Sequence, residues 1–311
     1  MYPWGNRRRF HSLSDSFRQQ YGTRLQKLTV HAGFTCPNRD GTVSAGGCTF
    51  CNNEGFSPSY CDPSKPIHVQ IEEGLTFVRN RYPRANRFVA YFQTYSNTYA
   101  PLPRLKEIYG EALRHPAISG LVIGTRPDCV DEEKLDYLAW LARKYFIKIE
   151  YGLESCYDDS LKRVNRGHTF RRSEEAIAMT AKKKLFTGIH LIIGLPGETR
   201  SQMLAQVDTI NRLPIQAIKL HQLQIVKDTP MAIEYEQNPD AFALFDLEEY
   251  VDFVVAFLER LRPDIAIDRF SGEIPPRLIT GKRWGMIRSD AVIRMVEDKM
   301  NALDTYQGRL K

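Results

Sequence analysis

No run of about 18 apolar residues occurs in this chain, which excludes a membrane-spanning helix. The arginines of MYPWGNRRRFHSLSDSFRQQYG are not followed by an apolar core, so no secretory signal is expected. There is no low-complexity segment and no short-period repeat, hence no sign of a disordered or solenoid architecture. Without membrane segment or export signal, the expected location is the reducing cytoplasm. There the six cysteines read as thiols or metal ligands rather than disulfides. The 311 residues are 42% hydrophobic and 26% charged, ample for a buried core. The net charge of +6 permits a nucleic-acid partner without demanding one. The excess is concentrated at the start, where Arg7, Arg8, Arg9, Arg18, Arg24 and Lys27 face a single acid, Asp15.

Strand-like runs alternate with helix-like ones. The apolar or β-branched runs are 25–34, 87–96, 119–128, 146–155, 187–198 and 216–226. In 131–145, Leu135, Leu138, Ala139, Ala142 and Tyr145 recur at helical steps after a capping Asp131. A second apolar stripe, Leu247, Val251, Val254, Val255, Leu258 and Leu261, marks a helix over 246–261. Repeated β–α units imply parallel strands with right-handed crossovers, in a doubly wound sheet or a full or partial barrel. Either gathers ligands at the carboxyl ends of its strands. Polar and glycine-rich groups stand at those ends: Gln93-Thr94-Tyr95, Thr125-Arg126-Pro127-Asp128, Glu154-Ser155 and Gly194-Leu195-Pro196-Gly197-Glu198. The expected organisation is a basic segment over 1–24, an α/β core over 25–261 and a C-terminal extension of the same domain over 262–311. The extension holds one more short strand, a Pro/Gly-rich loop and a helix near 289–303.

Cys36, Cys48 and Cys51 lie in one loop-like stretch, TCPNRDGTVSAGGCTFC, spaced C-x11-C-x2-C. A structural zinc site normally closes with four Cys or His ligands, and an electron-transfer [4Fe–4S] cluster usually has four cysteines. Three thiols leave one metal corner open for something else. Gly41, Gly46 and Gly47 permit the turns such a loop needs. His31 or Cys61 could instead complete a zinc site, so a non-enzymatic zinc-binding nucleic-acid protein is an alternative. Cys61, Cys129 and Cys156 show no ligand spacing and read as small buried side chains. His190 reads as a satisfied interior histidine.

The segments KLTVHAGFTCPNRDGTVSAGGCTFCN, YFQTYSNTYAPL, IGTRPDCV, IEYGLESCYDDSLKRVNRGHT, HLIIGLPGET, KLHQLQIVKDTPM and DTYQGRL resemble the radical SAM superfamily. They are similar in particular to its YhcC/YtqA-type branch, which neighbours the catalytic subunit of Elongator. The eleven-residue first gap departs from the superfamily's usual C-x3-C-x2-C and matches that branch. The resemblance implies a partial (βα)6 TIM-like barrel. It also implies a [4Fe–4S] cluster on Cys36, Cys48 and Cys51, with S-adenosylmethionine on the uncoordinated iron as source of a 5′-deoxyadenosyl radical. By the same resemblance Phe50 packs near the adenine, and Gln93 and Thr94 stand where the methionine amine is received, though without the usual acid. Glu154 takes the ribose or methionine end, and Arg166 pairs with the carboxylate. Gly194 and Glu198 lie near the adenosine, and Ile225 against the adenine.

The Elongator relationship implies tRNA wobble-uridine chemistry, with conversion of 5-carboxymethylaminomethyluridine to 5-aminomethyluridine. It also implies a one-electron donor of the flavodoxin or ferredoxin kind. The basic N-terminal segment would then meet phosphates. No separate RNA-binding module is recognisable, which keeps a small-molecule substrate as the alternative. No further C-x2-C set suggests an auxiliary cluster.

Overall fold

The computed structural model describes residues 1–52, 57–83, 85–285 and 287–311. Seven parallel strands form one sheet: β1 (Leu25–Val30), β2 (Arg87–Phe92), β3 (Ile118–Thr125), β4 (Phe146–Glu154), β5 (Phe186–Ile193), β6 (Ala217–Gln222) and β8 (Ala266–Arg269). They lie side by side in chain order, β1-β2-β3-β4-β5-β6-β8. Every crossover therefore steps the same way. With right-handed crossovers the connecting helices all fall on one face, and the sheet curls around the other. The result is a half-barrel, left open between β1 and β8. The helices on its outside include α2 (Ile67–Arg81), α3 (Leu102–Arg114), α4 (Glu132–Ala142), α6 (Phe170–Lys182), α7 (Arg200–Ile210) and α9 (Leu247–Arg260). β7 (Ile225–Val226) and β9 (Ile279–Thr280) form a small antiparallel pair beside it. Among the described residues no helix is long and apolar enough to cross a membrane.

Side chains alternate along each strand. Leu28, Val30, Ala90, Phe92, Leu121, Ile123, Ile147, Ile149, Leu191, Ile193, Ile218 and Leu220 face the helices and form the main core. The concave side has two levels. At the amino ends of the strands, α1 (Leu13–Tyr21) acts as a stopper. Its Phe17 meets the first residues of β4 and β5, Phe146 at 5.2 Å and Phe186 at 6.2 Å between ring centres. Ser12 bridges to Ile267 of β8, and the backbone N–H of Gln307 donates to the Arg9 carbonyl. The N-terminal segment thus closes the end of the barrel opposite the strand tips.

Above the stopper, polar residues replace apolar ones. Glu150, 1% exposed, is met by Lys148 (2.8 Å), Lys219 (2.5 Å), Lys27 (3.4 Å) and His190 Nε2 (3.1 Å). Asp268 takes the same three lysines, Lys148 at 2.7 Å, Lys27 at 2.8 Å and Lys219 at 4.0 Å. The hydroxyl of Tyr91 accepts from Lys219 at 3.0 Å. The lysine ammoniums hold both carboxyls well below the usual carboxylate range despite their burial. Burial, then the nearby Lys219, pushes His190 down to about 4. An unfolded chain returns this histidine to about 6.5, so between those values the unfolded state binds more protons. Folding stability is therefore expected to fall as pH drops through that window. Urea midpoints measured from neutral to mildly acidic pH check this, and the decline should be smaller in His190→Gln.

Candidate active site

The thiol loop follows β1 and is folded on itself. The N–H of Arg39 donates to the Cys36 carbonyl, that of Val43 to Pro37, that of Gly47 to Asn38 and that of Cys51 to Cys48. Gly46 and Gly47 both have left-handed φ, 81° and 84°. At Gly47 a side chain would also run into Arg39, whose guanidinium reaches across to the Cys51 carbonyl at 2.7 Å. The loop is stitched to the turn that follows α5 (Asp158–Arg163). Asn165 donates to the Gly47 carbonyl at 2.8 Å, Asn38 donates to the Asn165 carbonyl at 2.5 Å, and the Thr49 N–H donates to Val164. The sequence NRGHT is therefore part of the thiol site, although more than a hundred residues away in the chain.

Arg166, at the centre of that turn, is 7% exposed. It donates to the Gly152 carbonyl (2.6 Å) and to Cys48 Sγ (3.5 Å) and lies 3.6 Å from Glu154. A side chain at position 152 would displace the ends of both Glu154 and Arg166, so glycine there leaves room for the pair. The strand register shifts between Gly152 and Glu154, and Glu154 has φ 67°. This bulge turns the carboxyl toward the guanidinium. Burial raises the Glu154 carboxyl, and Arg166 pulls it back. Arg126, clamped at both ends by Asp128 (2.9 and 2.7 Å), donates to the Arg166 carbonyl at 2.8 Å.

A cavity of about 150 Å³ opens at this end of the barrel. Cys36, Cys48, Phe50, Cys51, Gln93, Glu154 and Arg166 all line it. Four further residues anticipated for the site do not. Thr94 is buried, with its hydroxyl at 3.2 Å from that of Ser57. Glu198 is engaged by Ser155 (2.6 Å) and Gln206 (3.1 Å), tying β4 to α7. Ile225 packs in the apolar cluster against which Phe50 leans. Gly194 borders a neighbouring cavity of about 360 Å³, formed with the C-terminal extension. Arg39, Tyr95, Arg126, Glu150 and His190 line the thiol cavity without having been singled out as its ligands.

The donors around the thiols suit a sulfur-rich anionic group. Arg166 and Asn38 direct N–H groups at Cys48 Sγ, at 3.5 and 3.6 Å. Arg166 Nε is buried with no partner among the described residues. Burial, then the neighbouring Cys48, raises the Cys51 thiol, and Arg39 counteracts both. Three thiols among guanidiniums fit an iron–sulfur cluster with one iron left for another ligand.

Cations at the other end are differently occupied. Arg8 pairs with Glu297 (2.9 Å), Arg9 with Asp304 (2.7 Å), Arg18 with Asp15 (2.7 Å) and Lys27 with Asp268 (2.8 Å). Of the six cations of the N-terminal segment, Arg8, Arg9 and Arg18 thus serve intramolecular pairs at the closed end of the barrel, and Lys27 serves one inside it.

Residues 36–210 match the radical SAM superfamily and residues 215–302 the radical SAM C-terminal domain. The uncharacterized protein YtqA of Bacillus subtilis is 31% identical over 99% of this chain and 95% of its own length. Protein YhcC of Escherichia coli is 36% identical over 88% of each. A more distant relative, the tRNA uridine(34) acetyltransferase of Methanocaldococcus infernus, is 23% identical over 54% of this chain and 31% of its own. The solved structure of archaeal Elp3 from Methanocaldococcus infernus has a TM-score of 0.67 at 14% identity. It spans 91% of this chain and 64% of that one, and shows the shared fold. On the strength of these matches, the chain belongs to the radical SAM superfamily, whose members use a [4Fe–4S] cluster and S-adenosylmethionine.

Proposed function

We propose that this protein is a radical SAM enzyme that modifies the wobble uridine of tRNA, converting 5-carboxymethylaminomethyluridine to 5-aminomethyluridine. One observation carries the catalytic half: Cys36, Cys48 and Cys51 border a single cavity with Arg166, Glu154, Gln93 and Phe50. In this reading the three thiolates hold the cluster, and Arg39 and Arg166 offset its charge. Arg166 also offers its fork to the cofactor carboxylate. Glu154 accepts from a ribose hydroxyl or the amine, and Phe50, backed by Ile225, supports the adenine. Gln93 takes the place of the missing acid. Thr94, Gly194 and Glu198 shape the strand ends behind this layer. The bound cofactor supplies a 5′-deoxyadenosyl radical, able to take hydrogen from an unactivated C–H. The carboxymethyl carbon beside the substrate amine offers such a hydrogen, which no base removes readily near neutral pH. Loss of one further electron from that carbon, returned to the oxidised cluster, would give an imine. Its hydrolysis by water would release the two-carbon fragment as glyoxylate and leave the 5-aminomethyl group. Enclosure by the barrel keeps water from the reacting centre. The electron comes from a flavodoxin- or ferredoxin-like donor.

The substrate half is supported by the distant likeness to tRNA uridine(34) acetyltransferase. The pairing of the N-terminal cations favours a second reading, a small-molecule substrate. Comparing nucleosides of bulk tRNA from cells with and without the gene separates the two. The tRNA reading expects accumulated 5-carboxymethylaminomethyl nucleoside on deletion, and an unchanged profile would falsify it.

A further inference from the structure

Two strand side chains face the thiol cavity from deeper in the barrel, Glu150 of β4 and His190 of β5. His190 is level with Gly152 in the strand register, short of the thiol-facing Glu154. The Glu150 oxygens are fully engaged. Oε1 accepts from Lys148 and Lys27, and Oε2 from Lys219 and His190 Nε2. Because Nε2 faces a carboxylate, it carries the ring proton, and Nδ1 is left as a bare acceptor. Nδ1 has no hydrogen-bond partner among the described residues, yet it is not among the atoms sealed from solvent. With the ring held down to about 4 by burial and then by Lys219, the imidazole is neutral at physiological pH. Its acceptor is therefore always available.

Charge decides what such an acceptor takes. Lys148 and Lys219 stand on the carboxylate that orients His190. With Lys27, and against Glu150 and Asp268, they leave one net positive charge beside the ring. An ammonium brought there is therefore opposed, whereas a neutral N–H is not. We propose that His190 forms a substrate-binding subsite at the cavity floor, where Nδ1 accepts a hydrogen bond from a neutral N–H donor. Under the wobble-uridine reading, on which this assignment rests, the donor is the imide N3–H of the uracil ring. Glu150 acts through His190, as a positioning residue.

The test uses reconstituted holoenzyme and two anticodon stem–loops. One carries 5-carboxymethylaminomethyluridine at the wobble position, the other its N3-methyl derivative. His190→Gln keeps a donor toward Glu150 but has no acceptor at the Nδ1 position, whereas His190→Asn places an oxygen near it. Wild type is expected to bind the N3–H loop about tenfold more tightly than the methylated one, the value of one good hydrogen bond. His190→Gln should lose most of that preference and His190→Asn should recover part of it. A preference that survives intact in His190→Gln overturns the subsite alone. Failure of wild type to bind either loop overturns the tRNA reading and the imide assignment with it. Nitrogen NMR of histidine-labelled protein gives a check independent of RNA. A proton on Nδ1, or a cationic ring near neutral pH, overturns the subsite.

Discussion

Replacing Cys48 with alanine is expected to abolish 5′-deoxyadenosine formation, while Cys129→Ala leaves it largely intact. Both cysteines are buried, 5% and 4% exposed, so burial does not distinguish them. Their surroundings do. Cys48 receives N–H groups from Arg166 and Asn38 and borders the cavity with Cys36 and Cys51. Cys129 lies behind Arg126, in the short turn after β3. Burial pushes its thiol up to about 12, and the adjacent Asp128 adds to the effect. Cys129 does not line the cavity shared by Cys36, Cys48 and Cys51, which is what separates it from Cys48. Anaerobic reconstitution, iron and sulfide analysis and a cleavage assay with dithionite read the outcome. Wild type should hold about four irons per chain, the content of one [4Fe–4S] cluster. One zinc, no colour and no cleavage would instead return the non-enzymatic zinc reading. Equal iron and equal cleavage in both variants would mean that the ligand assignment is wrong.

Glu150→Gln should be the most destabilising of the conservative changes in the barrel interior. Removing this charge leaves Lys148, 1% exposed in its side chain, and Lys219, 4% exposed, with Asp268 as their remaining anion. Breaking one partner out of a buried ionic group costs about 3–5 kcal/mol, because the remaining charges stay desolvated. Glu132→Gln removes an exposed pair with Lys183, and should leave the urea midpoint nearly unchanged. Urea unfolding of both variants against wild type measures the contrast. The acid limb gives a second readout. The Glu150 carboxyl is held below its ordinary value, so its contribution is complete above about pH 4.3 and is lost as pH falls further. The glutamine variant should lack that component. Equal midpoints for the two variants would show that the lysines find other partners.

The parallel sheet was legible because its outward-facing strand positions are almost uniformly apolar, as burial under helices requires. Four of the six runs contain their strand whole, and the other two begin one residue late, after Ile118 of β3 and Phe186 of β5. Several run on too far, as 87–96 does past Phe92 and 187–198 past Ile193, because the loops after the strands carry buried side chains of their own. The thiol triplet was legible from spacing. The contribution of NRGHT came from resemblance alone, since only the fold brings Asn165 and Arg166 against residues 38–48. Glu198 and Thr94 share the polar character of the strand ends, but their hydrogen bonds run into the protein. The interior charge cluster left a signal that went unused. Lys148 and Glu150 in FIKIEYGLE, and Lys219 and His221 in AIKLHQ, alternate with apolar residues at strand spacing. In strands covered on both faces, that alternation marks a polar barrel interior. Composition counts charges without their partners, and Glu297 and Asp304, which pair with Arg8 and Arg9, lie nearly three hundred residues away.

The stopper at the closed end couples distant parts of the chain, and this has a consequence for biosynthesis. Residues 9–12 are held by Ile267 and Gln307, which leave the ribosome some 250 to 300 residues later. At about 5–20 residues per second, the first helix waits on the order of tens of seconds for its seat. During that wait its apolar stripe, Leu13 and Phe17, is a natural handle for nascent-chain chaperones, and the barrel is sealed from below only once translation has passed its final helix.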